Sequence, residues 1–181
     1  MIKYILLGFL NYGPMTGYQL KQMIDESSAH FWHAHHSQIY TTLRKMEADG
    51  LVTSELVQEE STPDRRVYTI AESGRHALQD WLNTTLTQTS PIKEETLVHL
   101  FFSAQRDTQD VLTELRLQRE LHQQQAAAYP AISEHMACDA PYKQHLQRDQ
   151  VFWRLTLEMG QRYEDMYIAW LEDAIQQIES L

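Results

Sequence analysis

A polar helix face is the first feature of this sequence with a recognisable chemistry. Within residues 37–49, Ile39, Leu43 and Met46 recur at the three- and four-residue spacing that places them on one face of a helix. The opposite face and its flanks carry hydrogen-bond donors: Ser37, Thr41, Arg44 and Lys45 outward, with Gln38 and Tyr40 on the flanks. Such groups suit phosphate oxygens and base edges. The spacing alone fits an ordinary solvated face equally well.

The charge pattern indicates that any nucleic-acid surface is local. The chain has 15 basic and 25 acidic residues, a formal net charge of −10, which argues against binding polyanions through bulk charge. Two basic pairs, Arg44-Lys45 and Arg65-Arg66, nevertheless stand out. The second pair follows Pro63-Asp64 in a predicted turn, and because adjacent strand positions point to opposite faces, we expect one of the two to reach DNA. The alternative is surface pairing with Glu59, Glu60 or Asp64.

Four histidines lie just before this helix: His30, His33, His35 and His36. Imidazoles two or three residues apart can share a metal ion, as a metal sensor would require. The segment has no cysteine and no carboxylates at a fixed spacing. We therefore favour an ordinary loop or contacts to phosphate, and predict no metal site.

Aromatic residues of the second half offer a second candidate site. Trp153, Tyr163 and Trp170 could line a pocket for a small, flat aromatic effector, because aromatic rings stack on such ligands. Their helical spacing also fits the core between two chains, which is the interpretation we favour.

The sequence contains no motif of the common enzyme classes. The phosphate-binding glycine motifs, the G-x-S-x-G elbow and the H-E-x-x-H zinc motif are all missing, and the chain has only six glycines. We predict neither an enzyme nor a bound cofactor.

The single cysteine, Cys138, excludes an internal disulfide and every multi-cysteine zinc site. An exposed redox switch is conceivable there, but no basic residue adjoins the thiol to activate it. The longest apolar stretch, Tyr4 to Leu10, is far shorter than the roughly 20 residues that span a bilayer. We expect a cytoplasmic protein without membrane contact.

The first half predicts a domain of residues 1–88. A short N-terminal helix ends at Gly13-Pro14, and Thr16 and Gln19 have the capping-box spacing for a second helix. The third helix is predicted over Ser37 to Asp49 and ended by Gly50. A hairpin with a polar tip, Gln58 to Arg66, follows, and then a fourth helix from Glu72 to about Leu86 with Leu78, Trp81 and Leu82 inward.

The second half predicts a helical domain of residues 92–181. Its helices are expected over Lys93 to Ser103, Thr108 to about Tyr129, and Tyr142 to about Ile178, with breaks at Tyr129-Pro130 and Ala140-Pro141. The last helix carries a wide apolar stripe: Phe152, Leu155, Met159, Tyr163, Met166, Trp170, Ala174 and Ile178, widened by Tyr167, Leu171 and Ile175. A stripe this broad predicts an antiparallel helical domain that pairs with a second copy of the chain.

Three helices, a hairpin and a connecting helix follow the order of a winged helix, whose third helix enters the DNA major groove while the hairpin, or wing, reaches the neighbouring backbone. Several segments also resemble the PadR family of winged-helix transcriptional regulators: Leu6–Leu10, Gly13–Lys21, Phe31-Trp32, Gln38–Val52 and Thr62–Ile70. The wing and the all-helical second half are similar to the AphA-like branch of that family. The expected function is a homodimeric, sequence-specific, DNA-binding transcriptional regulator.

The resemblance implies that Tyr18, Tyr40 and the basic wing residues lie near double-stranded DNA. Two positions depart from the family pattern. Thr41 stands where members commonly have proline, and Ala71 stands where a threonine usually caps the fourth helix, at an expected cost of about 1 kcal/mol. The net negative charge of the chain leaves one alternative open, a winged helix that binds protein and not DNA.

Overall fold

The computed structural model describes the backbone of residues 1–28, 31–59, 62–137 and 147–181, and their side chains except at 58–64 and 133–146. The fold is mainly helical with one small antiparallel sheet, as predicted. The elements in chain order are α1 (Ile2–Leu10), β1 (Met15–Thr16), α2 (Gly17–Ser27), α3 (His36–Ala48), β2 (Val52–Glu59), β3 (Thr62–Ile70), α4 (Glu72–Leu82), α5 (Glu95–Phe101), a 3₁₀ turn (Ser103–Gln105), α6 (Thr108–Ala137) and α7 (Gln147–Glu179). They form two compact units, Met1–Thr89 and Ser90–Leu181.

The helices of the first unit begin and end at local signals in the sequence. The Thr16 side chain accepts the backbone N–H of Gln19, and the Gln19 side chain accepts that of Thr16, so the predicted capping box is confirmed. After α3 the chain turns at Gly50 with φ 69°, a left-handed conformation that favours glycine. These two signals place α2 and α3 as the sequence predicts.

The core of the first unit lies between its helices and the sheet. Its buried side chains come from every helix and from both hairpin strands: Leu6, Leu7, Leu10, Leu20, Ile24, Ala34, Ile39, Leu43, Met46, Val52, Tyr68, Ile70 and Leu78. Burial of this apolar surface is the main stabilising contribution to the unit. It also fixes which face of α3 remains outside.

The sheet has the order β1-β3-β2 and is antiparallel throughout. The two-residue strand β1, which the sequence pattern did not predict, pairs Met15 with Tyr68. A strand this short carries no alternation that could reveal it.

The predicted polar tip of the hairpin is corrected by the structure. Strand β3 already begins at Thr62, and Arg65 and Arg66 pair with Val57 and Leu56 inside the ladder instead of standing at a turn. Backbone hydrogen bonds hold an antiparallel ladder together without apolar side chains, so the strands extend beyond the core.

Helix α4 ends at Leu82, four residues before the predicted end at Leu86. The Thr84 hydroxyl donates to the Asp80 carbonyl, a side-chain bond that competes with helix continuation. Leu82, predicted to face inward, is 60% exposed in this chain, whereas Trp81 stacks on Tyr4 with ring centroids 4.6 Å apart.

In the second unit the predicted first helix is shorter, Glu95–Phe101, and a 3₁₀ turn follows it. The predicted break at Tyr129-Pro130 is wrong, because α6 continues through Pro130 to Ala137. A proline inside a helix costs about 3 kcal/mol. Tyr129, which is 1% exposed and lies against Gly160 of α7, supplies packing that offsets this cost. The predicted break at Ala140-Pro141, the start at Tyr142, and Cys138 lie outside the described residues.

Helices α6 and α7 share the core of the second unit. It contains Val111, Leu112, Leu115, Tyr167, Leu171 and Ile175. Three of the five buried residues of α7, Tyr167, Leu171 and Ile175, are those expected only to widen its stripe. Phe152, Leu155, Met159 and Met166 are more than half exposed in the single chain. No helix in the part of the chain that the structure describes is long and apolar enough to cross a membrane.

Candidate nucleic-acid interface

Helix α3 turns its donor face outward. Ile39, Leu43 and Met46 are at most 1% exposed and pack in the core, so the inward face is as predicted. The six residues of the outer face and flanks are all exposed: Ser37, Gln38, Tyr40, Thr41, Arg44 and Lys45. This arrangement leaves their side chains accessible to a large ligand, while contact of each with DNA stays a prediction.

The first turn of α3 gives Gln38 a structural role. The backbone N–H of His35 donates to Oε1 of Gln38 at 3.2 Å, which fixes the start of the helix. His36 stacks against Tyr40 with ring centroids 6.4 Å apart. The three-residue spacing from His35 to Gln38 matches that from Thr16 to Gln19, so the sequence carried a signal for this role.

Tyr40 packs its ring against the start of α2. A Cβ built on Gly17 would lie 2.5 Å from Cε1 of Tyr40, so this approach requires glycine. Tyr18, the next residue, is exposed. Of the two tyrosines predicted near DNA, Tyr40 therefore makes a contact between α3 and α2, and Tyr18 follows the glycine that Tyr40 touches.

The wing contacts α3 through a residue that the sequence analysis did not single out. Nη1 of Arg66 lies 3.3 Å from Oε2 of Glu47, and the Ser54 hydroxyl donates to Oε1 of the same carboxylate at 2.5 Å. The expected partners of the arginine pair were Glu59, Glu60 and Asp64, whose side chains lie outside the described ones. One signal in the sequence could have identified Glu47 as a contact to the wing. It lies about one helical turn after Arg44, near the end of α3 that leads into the hairpin.

Tyr68 lies beneath this ion pair. It is 3% exposed, and burial raises the pKa of its hydroxyl, with Glu47 and Tyr40 acting in the same direction and Arg66 and Arg44 opposing it. The neutral phenol is thus the stable form at physiological pH. Polar side chains of α3 and β3 thus face each other here, as the contact between Glu47 and Arg66 shows.

No group of three or more metal-ligating side chains suited to a metal ion occurs among the described residues. His33, His35 and His36 are exposed, and His30 lies outside the described part of the chain. The three described histidines are therefore exposed side chains in the segment before α3 and at its first residue.

A cavity of about 500 Å³ adjoins the N-terminal half of α3. Its lining comes from the start of α1, the segment before α3 and α3 itself: Met1, Ile2, Trp32, His33, Ser37, Gln38, Thr41 and Thr42. Three of these residues, Ser37, Gln38 and Thr41, also belong to the outer donor face. A molecule in this cavity would therefore touch the face that we expect to meet DNA.

Three aromatic residues of α7 contact one another at tilted and edge-on angles. Tyr167 contacts Tyr163 at 5.7 Å and Trp170 at 5.2 Å between ring centroids, and it is itself buried. Trp153 precedes Tyr163 by ten residues, about 15 Å along a helix. The three residues predicted to line an effector pocket are thus not brought together.

Two family models match the chain. Residues 6–80 match the PadR-like family of transcriptional regulators, and residues 92–179 match the C-terminal domain of virulence activator alpha. The negative transcriptional regulator PadR of Bacillus subtilis strain 168 is 26% identical over 179 residues, which cover 99% of this chain and 98% of that protein.

Solved structures of similar proteins share the whole architecture. B. subtilis PadR in complex with operator DNA has a TM-score of 0.81 and 25% identity, covering 98% of each chain. The Vibrio cholerae virulence activator AphA has a TM-score of 0.77 and 26% identity, covering 99% of each chain.

Proposed function

The chain belongs to the PadR family of transcriptional regulators, and from this premise we propose that it regulates transcription by binding an operator with α3 and the β2–β3 wing. The observation that carries the proposal is the outer face of α3. Its donors are all exposed, while its inner face is held in the core. In a chain of net charge −10, Arg44 and Lys45 concentrate positive charge on the helix that would enter the groove.

Selection of duplexes from a random pool by the full chain tests this function. The selected duplex and a scrambled duplex of equal length are then compared by gel shift at about 50 mM and 200 mM salt. We expect the selected duplex to bind at least about a thousandfold more tightly, and both affinities to fall as salt rises. Failure to enrich any sequence would favour the alternative, a winged helix that binds protein only.

We propose that the regulator is a homodimer joined through its second unit. The supporting observation is the exposed apolar side of α7 together with Phe101 and Phe102 at the end of α5. Exposed apolar surface along one side of a helix marks an interaction site. Dimers of helix-turn-helix proteins bind two half-sites that lie one turn of DNA, about 34–36 Å, or a multiple of it apart, so we expect an operator with two half-sites.

A small aromatic effector is the finer part of the proposal. B. subtilis PadR has been solved with p-coumaric acid. The cavity at Trp32 is within the usual size of a small-molecule site, about 300–1,000 Å³. Titration with p-coumaric acid should quench Trp32 fluorescence and weaken operator binding, and a Trp32→Phe variant should lose the fluorescence change.

We expect no catalytic activity, because a regulator of this family acts by occupying DNA. We propose a cytoplasmic location on the same ground, since a transcriptional regulator works where its DNA is.

A further inference from the structure

One carboxylate connects α3 to both strands of the wing. Oε1 of Glu47 accepts the Ser54 hydroxyl of β2 at 2.5 Å, and Oε2 lies 3.3 Å from Nη1 of Arg66 on β3. Ser54 pairs with Tyr68 across the hairpin, and Arg66 lies two residues before Tyr68. The three contacting side chains thus come from three separate elements that together would form the DNA-contacting surface.

The alternation of β3 shows why Arg66 turns toward α3. Tyr68 and Ile70 are buried, so the side of β3 that carries them faces the core. Side chains two residues apart share a face of a strand, and Arg66 therefore lies on the same side, just beyond the apolar core. Arg65 lies on the other side of the strand. The two arginines of the wing are placed in different surroundings.

Glu47 belongs to a polar stripe that faces the hairpin. Tyr40, Arg44 and Glu47 follow one another at spacings of four and three, which places them along one side of α3. Tyr40 contacts the start of α2 at Gly17, and Glu47 contacts the wing at Arg66. Arg44, one of the predicted base contacts, lies between these two contacts.

The exposure of the ion pair limits what it can contribute to folding. The side chain of Arg66 is 52% exposed and that of Glu47 33%. Ion pairs as exposed as this add little to the free energy of unfolding. The two contacts of Glu47 instead join both strands of the wing to α3, and we expect them to restrict the angle between the wing and the helix that carries Arg44.

We propose that Glu47 is a positioning residue for operator recognition, holding Arg66 and Ser54 of the wing against α3 so that Arg44 meets the bases in one fixed orientation. This inference rests on the proposed function. Under it, Arg66 acts through Glu47 and not as a phosphate contact. Removing the carboxylate should lower sequence discrimination without lowering general affinity for DNA.

Four variants of the full chain test the proposal on the selected and scrambled duplexes: Glu47→Gln, Arg66→Gln, the two combined, and Glu55→Gln as a control. Glu55 is an exposed acid on the other side of β2, so its loss changes the charge equally without touching the contact. We expect Glu47→Gln and Arg66→Gln each to weaken binding of the selected duplex about fivefold to tenfold, and the double variant to bind no worse than either. Binding to the scrambled duplex should stay within about twofold, and the control should match the wild type.

Three results would overturn the inference while the wild type still selects an operator. The first is multiplied losses in the double variant, which would make the two residues independent. The second is tighter binding of both duplexes by Glu47→Gln together with a shallower salt dependence for Arg66→Gln, in which the slope of log K against log salt falls by about 0.9. That result would make Arg66 a phosphate contact whose charge Glu47 merely neutralises. The third is equal behaviour of Glu47→Gln and Glu55→Gln. A wild type that selects no sequence would instead overturn the proposed function, and this inference with it.

Thermal unfolding of each variant separates positioning from misfolding. If Glu47→Gln unfolds at a clearly lower temperature than the wild type, Arg66→Gln decides the test, because its side chain is half exposed and can be replaced without opening the core. Loss of discrimination in that variant, at an unchanged melting temperature and an unchanged salt slope, supports the proposal.

Discussion

Nδ1 of His122 on α6 lies 2.5 Å from Oε2 of Glu164 on α7, and the glutamate side chain is only 5% exposed. The imidazole also stacks on Tyr167, with ring centroids 4.0 Å apart and an 18° interplanar angle. A carboxylate buried between two helices is costly unless a polar partner satisfies it. His122 is that partner, and the pair fixes which turns of α6 and α7 lie side by side.

Replacement of His122 by Ala should therefore destabilise the second unit by about 3–5 kcal/mol, because it leaves the Glu164 carboxylate buried and unpaired. Chemical unfolding of the full chain at pH 7, followed by circular dichroism, measures the effect. Addition of Glu164→Gln should recover part of the loss. The matched control is Arg162→Ala, which breaks an exposed pair with Glu158 and should cost at most about 1 kcal/mol. Similar costs for the two alanine variants would show that the buried pair is unimportant.

Local signals explain how much of the first unit could be predicted. The capping box of Thr16 and Gln19 and the left-handed turn at Gly50 depend on residues within a few positions of each other. The phase of α3 follows from the spacing of its three core residues. Such signals lie within short stretches of the sequence, so the order of the helices and the hairpin and the outward face of α3 could both be predicted.

The parts that were missed depend on partners distant in the chain. The ladder between β1 and β3 joins Met15 to Tyr68, and the continuation of α6 through Pro130 depends on packing of Tyr129 against α7. Likewise, Glu47 is an ordinary polar position until β3 brings Arg66 beside it. Periodicity reports which side of an element is apolar, but not which residue of another element lies opposite.

Substitution of Arg44 tests whether α3 recognises bases. If Arg44 makes a bidentate contact to a base, Arg44→Ala should lose about 1–3 kcal/mol of discrimination between the selected and scrambled duplexes. Gel-shift titration of both duplexes at one salt concentration measures this difference. Equal weakening of both would identify Arg44 as a phosphate contact instead.

Substitutions on the exposed side of α7 test whether the chain forms the proposed dimer. Replacing Leu155 and Met159 by Glu places two charges in the apolar surface that would meet a second copy, and burying unpaired charges there is unfavourable. Light scattering should give about twice the chain mass of 21.3 kDa for the wild type and a single chain mass for the variant. Gln→Glu changes at the exposed residues Gln176 and Gln177 add the same charge elsewhere on α7 and should leave the dimer intact. A monomeric wild type at micromolar concentration would contradict the proposed assembly.

The stability of the second unit should depend on pH through Glu114. Its Oε2 pairs with Arg106 at 2.5 Å and its Oε1 with His99 at 2.8 Å. Hydrogen bonding to Arg106 has the largest effect and lowers the pKa of this carboxyl below its usual 4.5; burial opposes it, and the smaller effect of the hydrogen bond to His99 lowers the pKa further. A lowered pKa means that the stabilisation is complete above the unfolded value and is lost as pH falls through the folded one. Glu114→Gln should thus cost about 0.5–1 kcal/mol at pH 7, the range of a partly exposed ion pair, and the difference from wild type should shrink as pH falls below 4.5 and through the lowered pKa of the folded state. A difference that persists unchanged at pH 3 would show that the carboxylate charge is not its source.

Two helical glycines with opposite surroundings provide the last test. A Cβ on Gly160 would lie 2.4 Å from the Tyr129 hydroxyl oxygen and 2.7 Å from its Cε1, whereas a Cβ on Gly8 of α1 meets nothing within 4 Å. Alanine favours a helix over glycine by about 1 kcal/mol at both positions. Gly8→Ala should accordingly stabilise the chain by up to that amount, while Gly160→Ala should be destabilising by about 1–3 kcal/mol, since overpacking outweighs the helix preference. Adding Tyr129→Phe removes the oxygen but leaves the ring, so it should recover only part of the loss. Unfolding midpoints of the three variants measure these effects, and equal stabilisation by both alanines would mean that α6 and α7 do not approach each other at Gly160.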